Sequence, residues 1–262
     1  MNLELNNKTA LISGSTKGIG FAIANRLAAE GARVIVNGRS EKAVALASDQ
    51  IRQVFPEAKL EGFAGDLATA KSAQELVERF AAVDILVNNL GIFEPKSFDE
   101  IPDEDWRRFF EVNVLSGARL SRAYVSGMKQ RNWGRIIFIS SESAIQIPVE
   151  MIHYGATKTA QLAISRGLAE YCAGTGVTVN AVLPGPTRSA GVEDFVTQLS
   201  GGQEFEVFEK EFFRNVRPSS LLKRFETPEE VASLVTFVCS PLASGISGAA
   251  LRADGGVVRS CF

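Results

Sequence analysis

The fold is indicated most clearly by the glycine-rich stretch Ser13-Gly14-Ser15-Thr16-Lys17-Gly18-Ile19-Gly20. The apolar run Lys8–Ser13 predicts a β-strand, and the alanine-rich pattern Ile19–Glu30 predicts a helix that Gly31 closes. A turn between them leaves backbone N–H groups free at a helix N-terminus, where a phosphate is favoured. This context predicts the first strand, turn and helix of a dinucleotide-binding sheet.

Each glycine of this loop is expected to have a different structural role. Gly14 permits the turn, Gly18 leaves room for a pyrophosphate, and Gly20 lets the helix and the strand pack closely. The spacing is G-x-x-x-G-x-G rather than the general G-x-G-x-x-G, and turns alone explain many glycine clusters, so the prediction depends on the position of the loop. The cofactor-binding residues expected here are Gly14, Ser15, Thr16, Lys17, Gly18, Ile19 and Gly20.

Short β-branched runs alternate with longer amphipathic stretches along the rest of the chain. We predict strands over Lys8–Ser13, Arg33–Asn37, Lys59–Ala64, Val83–Asn88, Arg135–Ser140, Val177–Leu183 and Gly248–Arg252. We predict helices over Ile19–Glu30, Glu41–Phe55, Ala70–Ala81, Asp103–Arg131, Met151–Ala173 and Pro228–Ser240. Strands that are apolar on both faces and separated by helices indicate a covered parallel sheet. The fold class is therefore α/β: one doubly wound Rossmann-type domain over residues 1–262, with a seven-stranded parallel sheet and helices on both faces.

The segment Thr187–Phe225 lies outside this alternation. A stretch of that length between a strand and a helix is typical of a substrate lid, and an extra helical pair on the surface is the alternative. Apolar side chains from this segment and from the loop before Tyr154 predict a pocket for a substrate with an apolar portion. They are Phe195, Phe205, Phe208, Phe212, Phe213, Ile145, Ile147, Val149 and Met151.

Composition excludes several classes of function. The 262 residues carry 28 Lys and Arg against 30 Asp and Glu, which leaves no concentrated basic field for nucleic acid. No apolar run is long enough for a membrane span, and Met1–Lys8 has no secretion-signal pattern. The three widely spaced cysteines, Cys172, Cys239 and Cys261, argue against a disulfide framework or a metal cluster. We expect a cytoplasmic protein without a metal site.

The end of the second strand bears on the choice of cofactor. An NAD site typically has Asp or Glu at this position, which accepts a hydrogen bond from the ribose 2′-hydroxyl. This chain has Gly38 there, followed by Arg39. Lys17 approaches the same region from the glycine loop. Two cations without an anion suit a 2′-phosphate, so NADP(H) is favoured over NAD(H). The alternative is that Arg39 is simply exposed in a turn.

A tyrosine and a lysine spaced by four, in Y-G-A-T-K (154–158), fall on one face of a predicted helix. The phenol has an ordinary pKa near 10, and an ammonium about 4 Å away would lower this pKa towards the range useful for proton transfer. On its own the pair is compatible with a surface contact. Ser141 at the end of the fifth strand and Asn113 in the preceding helix complete a larger pattern.

With these residues the chain resembles the short-chain dehydrogenase/reductase family over nearly its full length. The matching segments are S-G-S-T-K-G-I-G (13–20), Asp66 after the third strand, N-N-L-G (88–91), Asn113, Ser141, Y-G-A-T-K (154–158) and P-G-P-T (184–187). Each is short, but their order and separation are specific. Two departures are Leu90, where the family usually has alanine, and Ser13, where it usually has threonine.

The resemblance implies a catalytic set of Asn113, Ser141, Tyr154 and Lys158. Tyr154 would exchange a proton with the substrate oxygen, which Ser141 would orient. Lys158 would bind the nicotinamide ribose and lower the tyrosine pKa, and Asn113 would hold a water in a proton relay. Asp66 would meet the adenine, Asn88 would line the adenosine site, and Thr187 would contact the carboxamide. The implied cofactor-binding residues beyond the glycine loop are Arg39, Asp66, Leu67, Asn88, Gly91, Tyr154, Lys158, Pro184, Gly185 and Thr187.

The leading functional hypothesis is an NADP(H)-dependent oxidoreductase that interconverts a carbonyl and a secondary alcohol on a small molecule. A 3-oxoacyl-carrier-protein reductase is one alternative, with Lys129, Arg131 and Arg135 as candidate contacts for an acidic carrier. A nucleotide-binding sensor without chemistry is another, although a sensor need not keep the acid–base set. The single histidine, His153, is turned about 100° from Tyr154 and is interpreted as a bystander or a pocket-wall residue.

Two predicted helices, Asp103–Arg131 and Met151–Ala173, carry apolar residues around much of their circumference. One face of each must cover the sheet, so a second apolar face is expected to contact another copy of the chain. We therefore expect a homo-oligomer, a dimer or a tetramer, with a monomer whose loops cover the helices as the alternative. The residues concerned are Val112, Leu115, Leu120, Tyr124, Leu162, Ile164 and Leu168.

Overall fold

The computed structural model describes residues 2–189 and 204–261. Its sheet contains seven parallel strands in the order β3-β2-β1-β4-β5-β6-β7. The predicted seven-stranded parallel sheet is therefore confirmed. The strands are β1 (Thr9–Ile12), β2 (Arg33–Gly38), β3 (Leu60–Ala64), β4 (Ile85–Asn88), β5 (Gly134–Ile139), β6 (Val177–Pro184) and β7 (Ala250–Ala253).

Helices cover both faces of this sheet. Helices α1, α2 and α8 pack with Ile12 of β1 in one apolar core, whereas α3, α5 and α6 pack with Leu11 of the same strand in the other. Successive strand residues point to opposite faces, which explains why the predicted strands are apolar throughout. The helices of the described chain are α1 (Gly18–Ala29), α2 (Glu41–Val54), α3 (Ala70–Arg79), α4 (Asp103–Phe110), α5 (Ser116–Gln130), α6 (Ile152–Tyr171), α7 (Phe205–Asn215) and α8 (Pro228–Val238).

The single helix predicted over Asp103–Arg131 is wrong in one respect. A π-helical turn, Glu111–Leu115, separates α4 from α5. The apolar stripe continues through this turn, so hydrophobic periodicity does not reveal it. This turn contains Asn113. Single π-helical turns within helices are frequently found at functional sites.

The strand order places a crevice at the carboxyl ends of the strands. The chain reaches one edge of the sheet through β2 and β3, returns to β4, and continues towards the opposite edge through β7. At the β1–β4 junction the connections leave in opposite directions, so the loops after these strands diverge and leave space for a ligand. The residues after β1, β4, β5 and β6 include the glycine loop, Asn89, Ser141 and Gly185. No helix within the described residues has the length and apolarity needed to cross a membrane.

Candidate active site

A cavity of about 880 Å³ opens at the carboxyl ends of β4, β5 and β6. Its wall brings together three of the four predicted catalytic residues, Ser141, Tyr154 and Lys158. The predicted cofactor residues that also line it are Ile19, Gly91, Pro184, Gly185 and Thr187. A cavity of this size with a few convergent polar groups suits a small organic ligand.

Apolar side chains form another part of the cavity wall. Phe208 and Phe212 reach it from α7, as predicted for the lid segment, and Val149 and Met151 reach it from the loop before Tyr154. The remaining predicted pocket residues do not line it. Phe213 is buried against Phe225, and Ile145 and Ile147 are exposed. Phe205 packs against Phe225 with the two rings tilted by 47° and is not part of the cavity wall. Phe195 lies outside the described residues.

The glycine loop has the geometry that a dinucleotide phosphate requires. Gly14 and Gly18 have φ angles of +64° and +59°, which side chains rarely adopt. A Cβ atom on Gly20 would lie 2.4 Å from the carbonyl oxygen of Gly14. Lys17 precedes α1 without a side-chain hydrogen bond to its first turn, so the N–H groups there remain available to an anion. The loop therefore fits a pyrophosphate.

Polar side chains hold the glycine loop, which follows β1, against the loop that follows β4. The Ser13 hydroxyl accepts hydrogen bonds from the N–H groups of Asn89 and Leu90, both at 3.0 Å. The Asn89 amide donates to the carbonyl oxygens of Ser13 and Gly14. A serine at position 13 thus supplies the hydroxyl that the usual threonine would supply. Asn89, which sequence reasoning did not assign, joins the loop after β1 to the loop after β4.

The residues predicted to select NADP(H) come from two segments: Lys17 directly precedes α1, and Gly38 and Arg39 are at the end of β2. Lys17 and Arg39 are both exposed, and a Cβ on Gly38 would approach Thr16 Cγ2 to 2.4 Å. A carboxylate side chain at position 38, as in an NAD site, would therefore require Thr16 to shift. Ser15 serves the loop itself, because its hydroxyl donates to the Ile12 carbonyl and accepts from the N–H of Asn37.

Three predicted adenosine contacts have different surroundings. Asp66 is exposed, and its Oδ1 accepts from the Ala68 N–H at 3.0 Å. The Leu67 side chain is buried in the core, so only its backbone is available to a ligand. Asn88 is also buried, and its amide donates to Ser121 Oγ of α5 at 3.0 Å. The structure thus directs Asn88 towards a helix rather than the cavity, and the adjacent Asn89 lines the cavity instead.

The Tyr154 phenol and the Lys158 ammonium lie in a strongly desolvated part of the cavity. Burial raises the pKa of Tyr154 to about 12, and a hydrogen bond with Ser141 opposes this increase. Burial lowers the pKa of Lys158 to about 7. Lys158 Nζ donates to the Ile139 carbonyl at 2.9 Å and lies 5.6 Å from the centre of the tyrosine ring. The structure therefore differs from the expectation that Lys158 lowers the tyrosine pKa, because desolvation dominates at both groups.

Asn113 lies directly behind this pair in the π-helical turn. Its Oδ1 accepts from the Ile92 N–H at 2.7 Å, and its amide donates to the Ile92 carbonyl and to Thr157 Oγ1, both at 3.0 Å. These bonds connect the loop after β4 to α6. A Cβ on Gly91 would lie 3.3 Å from Lys158 Nζ and 3.6 Å from Asn113 Oδ1, so the space over Gly91 adjoins both groups.

Known proteins are similar to this chain in sequence and in fold. A family model described as enoyl-(acyl carrier protein) reductase matches residues 14–258. The uncharacterized oxidoreductase YvaG of Bacillus subtilis is 53% identical, with both chains covered completely. D-beta-hydroxybutyrate dehydrogenase of Cupriavidus necator is 34% identical, over 97% of this chain and 99% of that protein. The chain belongs to the short-chain dehydrogenase/reductase family.

A solved structure supports the same assignment. L-sorbose reductase from Gluconobacter frateurii, complexed with NADPH and L-sorbose, matches with a TM-score of 0.94 and 30% sequence identity. The match covers 99% of this chain and all of that one. The Rossmann-type fold is thereby confirmed, and the short-chain dehydrogenase/reductase described here is an enzyme acting on alcohol or carbonyl groups.

Sequence reasoning missed two charged residues in this short-chain dehydrogenase/reductase. Glu142 follows Ser141, and Arg217 follows α7; both line the cavity and form a buried ion pair. Nothing in a single sequence signals that positions 142 and 217 meet. His153 is buried beside Phe109, with the ring centres 4.1 Å apart, and does not line the cavity, so the bystander interpretation fits better than a pocket wall.

A second buried carboxyl group, Glu226, holds the P-G-P-T loop of this family member. Its Oε2 accepts from the Gly185 N–H at 3.0 Å, and its backbone bonds to Pro186 and Arg188. Burial raises the pKa of Glu226 from 4.5 to about 7, with the Gly185 hydrogen bond opposing. The folded protein therefore binds this proton more tightly than the unfolded chain does.

This shift predicts a pH-dependent loss of stability. The stabilising contribution of protonated Glu226 is fully present below pH 4.5 and is lost as the pH rises to about 7. At 1.36 kcal/mol per pKa unit, the loss amounts to about 3 kcal/mol. Glu226→Gln lacks this titration, so urea unfolding should show its stability rising relative to the unmodified protein over that pH range. Parallel profiles for the two proteins would contradict the assignment.

Proposed function

We propose that the protein is an NADP(H)-dependent oxidoreductase that interconverts a carbonyl and a secondary alcohol. The observation that carries this proposal is the convergence of Ser141, Tyr154 and Lys158 on one cavity beside a glycine cradle that fits a pyrophosphate. Bound NADPH supplies the hydride. The protein supplies orientation and a proton at the carbonyl oxygen.

Each residue of the set has a role in this proposal. Tyr154 donates its phenolic proton to the carbonyl oxygen during reduction, and Ser141 hydrogen-bonds the same oxygen and orients it. Lys158 binds the ribose hydroxyls, and its pKa of about 7 lets it hold or release a proton at neutral pH. A water over Gly91 would contact both Lys158 and Asn113, which continues the path along which Tyr154 is reprotonated.

Turnover separates this function from that of a sensor without chemistry. With NADPH and a panel of ketones, the enzyme should oxidise the cofactor only when a ketone is present. A nucleotide-binding sensor would bind NADPH, seen as a fluorescence change, and leave its absorbance at 340 nm (the nicotinamide band) unchanged with every ketone. That second result would reject the proposal.

Preference for NADP(H) is supported by the exposed cations Lys17 and Arg39 and by Gly38, where a side chain would clash with Thr16. Replacing Arg39 with Asp should raise the KM for NADPH at least tenfold, because a charge-assisted hydrogen bond worth about 1.5–3 kcal/mol becomes a repulsion. The KM for NADH should fall. Steady-state kinetics with both cofactors provide the measurement, and equal kinetics of the unmodified enzyme with NADPH and NADH would contradict the preference.

The acyl-carrier alternative has less support from the basic residues that it needs. Arg135 is buried, and its guanidinium donates to the carbonyl oxygens of Ser240, Gly134 and Gly176. It is therefore not a surface cation for an acidic protein, contrary to the expectation from sequence. Lys129 and Arg131 are already bound to the carbonyl oxygens of Tyr171 and Val83.

We also propose that the enzyme is a cytoplasmic homo-oligomer, a dimer or a tetramer. Cys172, Cys239 and Cys261 are all free, which suits a reducing compartment. The apolar face available to a second copy is smaller than the sequence predicts, because Leu120 and Tyr124 belong to the core. Other predicted residues, Val112, Leu162, Ile164 and Leu168, are only partly buried, and Leu115 is 43% exposed.

A further inference from the structure

An unpartnered carboxylate oxygen lies in the wall of the substrate cavity. The Glu142 side chain lines the cavity and is 5% exposed. Its Oε1 accepts from Arg217 Nε at 3.0 Å, whereas its Oε2 has no hydrogen-bond partner among the described residues. A buried polar atom without a partner is costly, so natural proteins rarely keep one without a use.

The position of Glu142 connects this oxygen to the reacting group. Ser141 caps a short 3₁₀ turn, Glu142–Ala144, through a hydrogen bond from the Ser143 N–H to its hydroxyl. The residue after the proposed catalytic serine therefore turns into the same cavity. Burial is the largest influence on the pKa of Tyr154 and raises it. The charge of Glu142 also raises this pKa, and the charge of Arg217 lowers it. Glu142, Arg217 and Tyr154 all line the same cavity.

Two of the three guanidinium nitrogens of Arg217, Nε and Nη1, are already bound to the protein. Its Nε bonds to Glu142, and its Nη1 lies 3.4 Å from Glu150 Oε1 and 3.1 Å from the Val216 carbonyl. Two carboxylates thus neutralise one buried guanidinium. With Nε and Nη1 occupied, this guanidinium does not offer the open two-nitrogen fork with which an arginine binds a substrate carboxylate.

The charge in the described wall of the cavity is unfavourable for an anion. Three carboxyl groups, those of Glu142, Glu150 and Glu211, face the cavity alongside the single guanidinium of Arg217. The other cation in this part of the wall, Lys158, is assigned above to the cofactor ribose. An uncharged ligand with a hydrogen-bonding group avoids the repulsion that a carboxylate or phosphate would meet.

We propose that Glu142 is a specificity-determining residue whose free oxygen hydrogen-bonds a hydroxyl group next to the reacting carbonyl of an uncharged hydroxyketone. The inference rests on the proposed carbonyl reduction and names its substrate class. A hydroxyl group suits this position in either protonation state of the carboxyl group, because it can donate to the ionised form and accept from the neutral form. The apolar side chains of Phe208 and Phe212 contact the remainder of the ligand.

Matched ketones test this inference with NADPH as the reductant. Hydroxyacetone and 2-butanone have equal numbers of heavy atoms and differ in one hydroxyl group, and pyruvate adds a negative charge. The unmodified enzyme should prefer hydroxyacetone over 2-butanone by at least about 10²-fold in kcat/KM, because a site built to bind a hydroxyl group rejects an analogue without one. Pyruvate should be the poorest of the three.

Variants separate recognition from a merely structural ion pair. Glu142→Leu should reduce the hydroxyacetone preference to less than about threefold, whereas Glu142→Gln should retain part of it, because an amide still forms a weaker, neutral hydrogen bond. Glu150→Leu removes the other partner of Arg217 and serves as the matched control, with the preference retained. If Glu142 only held Arg217 in place, both leucine variants would slow the two ketones equally. If circular dichroism shows that Glu142→Leu does not fold, the test rests on Glu142→Gln, whose preference for hydroxyacetone over 2-butanone should be lower than that of the unmodified enzyme.

The possible failures are distinguishable. Turnover of both ketones by the unmodified enzyme at similar kcat/KM would overturn the role of Glu142 and leave the proposed carbonyl reduction standing. A strong preference for hydroxyacetone that is unchanged in both Glu142 variants would also overturn the role of Glu142 without affecting the proposed carbonyl reduction. An enzyme that binds NADPH and oxidises it with none of the three compounds, nor with the wider ketone panel, would reject the proposed function itself.

Discussion

Replacement of Tyr154 by phenylalanine should lower kcat at least ~10²-fold, with NADPH affinity changed less than about threefold. The substitution removes the proton donor and leaves the ring, which packs edge-on against Phe93 with the ring centres 6.3 Å apart. The loss should therefore appear in the chemical step rather than in cofactor binding. Steady-state rates and NADPH fluorescence titration measure the two quantities separately.

A second tyrosine of the same helix provides the matched control. Tyr171 is 58% exposed at the end of α6, away from the cavity, so Tyr171→Phe should keep at least half of the unmodified kcat. Near-normal turnover by Tyr154→Phe would mean that another group supplies the proton. The roles proposed for Ser141 and Lys158 would then have to be reassigned as well.

Replacement of Gly20 by alanine should abolish measurable NADPH binding, which corresponds to a loss of at least ~10²-fold in affinity. The new Cβ would lie 2.4 Å from the Gly14 carbonyl oxygen and 2.5 Å from Asn89 Nδ2. Neither the loop backbone nor the amide that binds it can stay in place. The phosphate cradle must therefore change shape, and isothermal titration with NADPH measures the consequence.

Gly167→Ala is the matched control for this substitution. Gly167 lies within α6, and a Cβ there would meet no atom within 4 Å. Alanine favours a helix over glycine by about 1 kcal/mol, so this variant should bind NADPH normally and unfold at a slightly higher temperature. Normal NADPH binding by a folded Gly20→Ala protein would show that the loop does not form the phosphate site.

The sheet and the glycine loop are predictable from sequence because their signals are local. Each buried strand is a short β-branched run, and each covering helix has its own apolar stripe. The order of these elements is enough to indicate a doubly wound sheet. The Tyr154–Lys158 pair is local in the same sense, since helical spacing alone places both side chains on one face.

The features that sequence reasoning missed depend on contacts between distant segments. Glu142 and Arg217 are 75 residues apart in the chain and meet only because the segment after α7 folds over the cavity. From the sequence alone Arg135 resembles a surface cation, but its strand, β5, lies inside the sheet between β4 and β6. Asn88 and Asn89 are adjacent in sequence, and only the pairing of β4 determines which of them faces the ligand.

The extent to which a side chain is desolvated also cannot be predicted from a sequence pattern. The spacing of Tyr154 and Lys158 indicates an electrostatic interaction, but the pKa values of about 12 and about 7 follow from how deeply the cavity buries them. Both shifts favour the neutral forms of the two groups. Binding of a charged cofactor beside Lys158 changes that balance, and it is in this complex that the pair is proposed to act.

Transfer of deuterium from the cofactor distinguishes hydride transfer to the carbonyl carbon from any other oxidation of NADPH. The enzyme is incubated with NADPH carrying deuterium at both positions of nicotinamide carbon 4, together with 2-butanone or hydroxyacetone, whichever is reduced faster. We predict an alcohol that carries one deuterium on its new carbinol carbon, as seen by mass spectrometry and NMR. Its rate of formation should be at least ~10²-fold lower with Tyr154→Phe. Oxidation of NADPH without deuterium on that carbon, or equal rates with the two proteins, would contradict this prediction.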